Sequence, residues 1–180
     1  MSSFFQKKLI LLDVDHTLID WTSLRTLWDF RSEWKQKVQQ SNLSPTFRGL
    51  RTPADRDPQM DHSQKQIQLG SWVTDLILQA RIQRWQIAIF SDFHQPMLMS
   101  WFERLNIHHI AIGLDIGCLK PLPDGCYQLM TQLGVCGSQT FLIGDGLRTD
   151  SRAIYSVGGH FVPIESIRNK SFSEISDWFA

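Results

Sequence analysis

The chain has 180 residues, 42% of them hydrophobic, and 18 basic side chains balance 18 acidic ones. That is enough for one well-cored domain with a small insertion. The cancelled charge argues against a nucleic-acid partner or an anionic membrane surface, and no segment approaches the roughly 18 apolar residues of a membrane span.

The opening "MSSFFQKKLILLDVD" has lysines before a short apolar run, but that run meets two acids where a signal peptide needs a small-residue cleavage site. It reads as a first strand, Lys7 to Val14. A break in rhythm follows, about 47 residues from Asp20 to Gln66 that are too long for a loop. "WTSLRTLWDFRSEWKQKVQQ" has helical spacing, and "SNLSPTFRGLRTPADRDPQMDH" is rich in proline, serine and charge. The expectation is a small, mainly helical cap over 20–66, inserted after strand 1 between core segments 1–19 and 67–180. Trp21, Trp28 and Trp34 read as packing residues of the cap. Arg48, Arg51 and Arg56 read as a solvated loop or as a clamp for a second anionic group.

Beyond the cap, short apolar runs alternate with segments of helical period, the pattern of a parallel sheet covered on both faces. The strands are expected at Gln86 to Ser91, His109 to Gly113, Thr140 to Gly144 and His160 to Ile164. Helices are expected at "SWVTDLILQARIQ", "PMLMSWFERLN", "DGCYQLMTQLG", "RTDSRAIYSVG" and "SFSEISDWFA". The fold class is α/β, a three-layer αβα Rossmann-like arrangement with a parallel sheet of about five strands. Cys118, Cys126 and Cys136 form no CxxC pair and have no histidine at zinc-finger spacing, so they read as reduced thiols in a cytoplasmic chain.

The chemistry collects where strands end, because an open parallel sheet binds ligands beyond the carboxyl ends of its strands. Asp13 and Asp15 lie two apart, so in extended geometry they point the same way. Their mutual repulsion is most simply relieved by a divalent cation. Ser91 ends the second strand, where a hydroxyl and neighbouring N–H groups suit a phosphate oxygen. Lys120 precedes a proline-rich turn. Asp145 follows the fourth strand directly, and Asp150 opens the next helix.

Taken in order, "DVDHT", Ser91, Lys120 and "GDGLRTD" resemble the haloacid dehalogenase (HAD) superfamily of aspartate-nucleophile phosphotransferases. Its pattern is DxDxT, a strand-end Ser or Thr, a Lys, and an acidic pair GDxxxD or GDxxxxD. The stretch from Gly117 to Gly159 is similar to the second half of the phosphoglycolate phosphatase type, and only Asp20 to Gln66 falls outside the match.

The resemblance implies that Asp13 attacks phosphorus to form an aspartyl-phosphate, and that Asp15 is the general acid and base. It implies Mg²⁺ among the Asp13 carboxylate, the Asp15 carbonyl and Asp145, with Asp150 supporting that shell or anchoring Lys120. Thr17 would orient the loop, Ser91 would take a phosphate oxygen, and Lys120 would hold nucleophile and transferring group together. An acid at Asp15 separates this chain from dehalogenases, which lack it, and from transport ATPases, which have threonine. The implied function is a phosphomonoesterase acting on a small phosphorylated metabolite, or on a phosphoprotein admitted by the small cap. A phosphomutase and a non-catalytic binding protein on the same scaffold are the alternatives. Phosphonate hydrolysis would need a cap lysine, and Lys35, Lys37 and Lys65 have no fitting context.

Three features depart from the pattern, one of them the pair Gly158 and Gly159, which replaces the more usual alanine and glycine before the last strand and loosens the turn. Asp92 stands where asparagine is common, and would meet a substrate hydroxyl or amine or cap the next helix. His16 reads as a bystander in the third position of the motif.

Overall fold

The computed structural model describes residues 7–19, 69–92, 102–168, 170 and 174. The cap expected over 20–66, with its tryptophans, arginines and lysines, lies outside the described residues. So does nearly all of the expected C-terminal helix, and the helix expected from Pro96 is described only from Phe102 onward.

Five strands form one parallel sheet: β1 (Leu9–Leu12), β2 (Gln86–Ser91), β3 (His109–Ile112), β4 (Thr140–Gly144) and β5 (His160–Pro163), in the order β3-β2-β1-β4-β5. The helices are α1 (Ser71–Ile82), a short α2 (Gly113–Ile116), α3 (Asp124–Leu133) and α4 (Asp150–Ser156). Central β1 is buried at every position, as its unbroken apolar run requires of a strand covered on both faces.

Strand alternation divides the core. Ile10, Leu12, Ile89, Phe141, Ile143 and Val162 face Val73, Leu76, Ile77 and Ala80 of α1. Leu9, Leu11, Ala88, Phe90 and Leu142 face Cys126, Leu129 and Met130 of α3 and Ala153 and Ile154 of α4. Helices therefore cover both faces, giving the three layers expected. Gly134, at φ 65, takes the left-handed conformation that ends α3, a position glycine occupies without steric penalty.

The strand positions hold, with trimmed ends. Gly113 opens α2 instead of closing β3, and Ile164 begins a 3-10 turn, Ile164–Ser166. α2 was not expected, since four residues are too few to show a helical period. β1 stops at Leu12, so Asp13 and Asp15 do not share an extended strand. The chain turns there because the Val14 carbonyl accepts from the N–H groups of Thr17 (3.3 Å), Leu18 (2.9 Å) and Ile19 (3.1 Å). Ile19 in turn pairs antiparallel with Leu69, so the described chain leaves and re-enters the core at one place.

Candidate active site

The sheet reverses its direction of growth at β1: β2 and β3 lie to one side, β4 and β5 to the other. That reversal opens a crevice at the carboxyl ends of β1 and β4. Asp13 stands at this point, its N–H still bonded to the Ile143 carbonyl at 3.0 Å. If the strand alternation is continued, Asp13 follows Leu9 and Leu11 onto the face covered by α3 and α4. Val14, fully buried, joins the opposite core and anchors the turn. The two segments that reach Asp13 come from the matching side, for Lys120 lies in the loop before α3 and Asp150 is the first residue of α4.

Lys120 Nζ lies 2.5 Å from Asp13 Oδ1 and 2.6 Å from Asp150 Oδ1. All three side chains are nearly sealed from solvent, at 5%, 6% and 1% exposure. Thr17 Oγ1 donates to the other Asp13 oxygen at 3.2 Å. Gly146 N–H donates to Asp150 Oδ2 at 2.9 Å, so Asp150 holds Lys120 with one oxygen and its own loop with the other. A Cβ on Gly144 would come within 2.3 Å of Asp150 Oδ2. The glycine of "IGDG" therefore makes room for that carboxylate. Phe90 floors the pocket, its ring centroid 5.2 Å from Lys120 Nζ.

Burial pushes the Asp13 carboxyl up from 3.8 to about 6; Lys120 opposes that rise, while Asp150 and Asp15 add to it. Partial burial and the Asp13 charge likewise raise Asp145 above the usual carboxylate range. Desolvation alone would lower Lys120, but Asp13, Asp150 and Asp92 outweigh it and hold the ammonium well above its ordinary value. Carboxylate oxygens of Asp13, Asp145 and Asp150 lie within 4.8 Å of one another. Three hard oxygen donors, crowded and carrying repulsion that one lysine does not cancel, fit a small divalent cation such as Mg²⁺.

The remaining expected residues fall around this cluster. Asp15 and Thr17 are buried in the turn after β1, and Ser91 is buried at the end of β2. The Asp15 carboxylate is not among the clustered three. Asp92 Oδ1 accepts the Lys120 backbone N–H at 2.8 Å, a contact additional to the two roles expected of it. The helix it was expected to cap begins outside the described residues, and the carboxylate reaches from the end of β2 to the lysine loop. His16 has φ 59, and its carbonyl accepts from the Arg168 guanidinium. Neither the Asp92 nor the Arg168 contact has a sequence signal, because each joins segments far apart in the chain.

The cysteines are free, as expected. Cys126 is buried in the α3 core, and burial pushes its thiol up to about 12. Among the described residues no helix is long and apolar enough to cross a membrane.

No family model matches the chain, and no curated protein matches it. Solved structures do. A candidate phosphoglycolate phosphatase from Lactobacillus plantarum superposes with a TM-score of 0.65 at 14% identity, covering 97% of this chain and 100% of that one. A HAD family enzyme from Bacteroides thetaiotaomicron, in complex with magnesium and inorganic phosphate, gives 0.60 at 16% identity over 87% and 93%. A CbbY mutant from Rhodobacter sphaeroides, in complex with xylulose-1,5-bisphosphate, gives 0.62 at 20% identity over 88% and 86%. At these identities the likeness establishes the fold, which is that of HAD-superfamily structures.

Proposed function

We propose that the protein is a Mg²⁺-dependent phosphomonoesterase of the HAD type, acting through an aspartyl-phosphate on Asp13. The observation that carries this reading is the buried Lys120 ammonium bridging Asp13 Oδ1 and Asp150 Oδ1 at the mouth of a HAD-type sheet. Asp13 would use a carboxylate oxygen to attack phosphorus while Lys120 holds that oxygen and the transferring group in one electrostatic frame. Thr17 keeps the carboxylate from rotating by donating to its second oxygen. Asp15, in the turn just beyond, would protonate the leaving alcohol and then take a proton from the water that hydrolyses the acyl phosphate. Ser91 and the N–H that follows it would bind a non-transferring phosphate oxygen.

Asp13 and Asp145, with the Asp15 carbonyl, would hold the metal. Bound there, Mg²⁺ supplies charge neutralisation between nucleophile and phosphate. Asp150 would anchor Lys120, in keeping with its 2.6 Å contact.

Residues 20–66 would form the cap that meets the rest of the substrate, and a small phosphorylated metabolite is the substrate class. In its support, one structural neighbour holds a sugar bisphosphate and another holds magnesium with phosphate. The test is turnover of an aryl phosphate with Mg²⁺. The wild type should release phosphate and Asp13→Asn should not; full activity in the variant would overturn the reading.

A further inference from the structure

The proposed chemistry places Lys120 at its centre, yet nothing in it says what fixes the loop that carries the lysine. That loop, 117–123, joins α2 to α3, and two of its hydrogen bonds serve only to fold it locally. Cys118 N–H bonds to the Gly113 carbonyl at 2.9 Å, and Leu122 N–H bonds to the Leu119 carbonyl at 3.0 Å. Among the described residues, Asp92 links the lysine backbone to the end of β2: its Oδ1 accepts the Lys120 N–H at 2.8 Å. We propose that Asp92 is a positioning residue: it ties the Lys120 backbone to the end of β2 so that the ammonium bridges Asp13 and Asp150.

A second observation points the same way. A Cβ on Gly113 would stand 3.1 Å from Asp92 Oδ1 and 2.8 Å from the Cys118 carbonyl oxygen. The glycine at the end of β3 thus leaves a slot that the Asp92 carboxylate and the returning loop share.

The division of labour is chemically economical. An ammonium has three donors and no acceptor, and two contacts of Lys120 Nζ go to Asp13 and Asp150. A carboxylate acting on the backbone N–H steers the residue without competing for those donors. An ionised acceptor also makes a stronger hydrogen bond to N–H than a neutral one. The Asp92 charge, facing Lys120 together with those of Asp13 and Asp150, further favours the charged ammonium.

The kinetic consequence rests on the phosphatase reading, while the structural one does not, so the test has two arms. In the first, Asp92→Ala and Asp92→Asn are compared with wild type in steady-state turnover of an aryl phosphate with Mg²⁺. Asp92→Ala should lower kcat by about 100-fold, the scale of a misplaced catalytic group, with KM little changed. Asp92→Asn, which keeps the acceptor oxygen, should recover most of the loss. An unchanged kcat in Asp92→Ala, a loss confined to KM, or an asparagine variant as impaired as the alanine one would overturn the proposal.

In the second arm, exchange of the Lys120 amide proton is followed by NMR. It should be slow in wild type and Asp92→Asn, and fast in Asp92→Ala. Equal exchange in all three overturns the tether whatever the turnover. A wild type inert toward phosphate esters would refute the phosphatase reading, and the exchange arm would still decide the role of Asp92.

Discussion

Replacing Asp13 with asparagine should end turnover and, in metal-free protein above pH 6, make the fold more stable. The folded protein raises the Asp13 carboxyl from 3.8 to about 6, chiefly by desolvation. A proton held more tightly in the folded than in the unfolded state favours folding at low pH. That contribution is complete below about pH 3.8 and is lost as pH rises through about 6. At ~1.4 kcal/mol per unit, the ionised carboxylate destabilises the metal-free fold by about 3 kcal/mol at pH 8.

Asparagine is neutral and of the same shape. Its amide oxygen can face the Lys120 ammonium, and its NH₂ can donate to Thr17 Oγ1, which accepts as readily as it donates. Most of that amount should therefore be recovered, which for a chain of this size is a rise in Tm of up to about 10 °C. Calorimetry in chelator from pH 4 to 8 checks it: the two proteins should converge below pH 4 and separate above pH 6. If the variant is the less stable at pH 8, the Asp13–Lys120 pair outweighs desolvation and the reasoning fails.

Metal binding should carry the same pH signature. Protons compete for Asp13 and Asp145, both raised, so Mg²⁺ affinity measured by calorimetric titration should weaken by about tenfold per unit below pH 6 through Asp13 alone, and more steeply where Asp145 protonates as well; a flat profile from pH 5 to 8 would contradict this. Lys120→Met leaves the buried Asp13 and Asp150 carboxylates without their cation and should destabilise metal-free protein by about 3–5 kcal/mol at pH 8, read from urea melts. The deficit should shrink in acid as Asp13 protonates. Gly125→Val would bring a Cβ within 2.3 Å of the Phe90 ring, and should lower stability by about 1–3 kcal/mol through overpacking. Because that ring lies under Lys120 Nζ, kcat should fall as well.

The sheet was legible because burial on both faces leaves a mark in sequence: "LILL" and "TFLIG" are unbroken apolar runs, and both are strands. Three of the four motif positions were legible because each lies at a strand end or a helix start, and Lys120 because it precedes a proline-rich turn that leads into α3. α2 was hidden by its length of four residues. The Asp92 tether was hidden for a different reason, since a hydrogen bond between residues 28 apart depends on how two loops meet above the sheet. Asp92 read alone offered only local roles, a cap or a substrate contact, because local roles are all that sequence neighbours can define. The turn after β1 shows the same limit: "DVD" looks extended, yet three N–H groups converge on the Val14 carbonyl and bend it.

The site is built against its own stability, and the core explains how that is sustained. Four acids, Asp13, Asp92, Asp145 and Asp150, gather around Lys120, and Asp15 adds its charge beside Asp13. Left to relax, such a cluster would spread apart or take up protons. Three of them are instead fixed by structural partners that have no charge to lose: Asp13 by the β4 ladder, Asp150 by the Gly146 N–H, Asp92 by the Lys120 N–H. The fully buried Val14 pins the turn that follows Asp13 into the opposite core. Repulsion that the scaffold prevents from relaxing would be available to the proposed metal instead, because a divalent cation entering among these oxygens would relieve it on binding. On the proposed reading, the burial that raises Asp13 and the backbone bonds that hold its neighbours would act as one device, exchanging stability of the metal-free fold for affinity at the site.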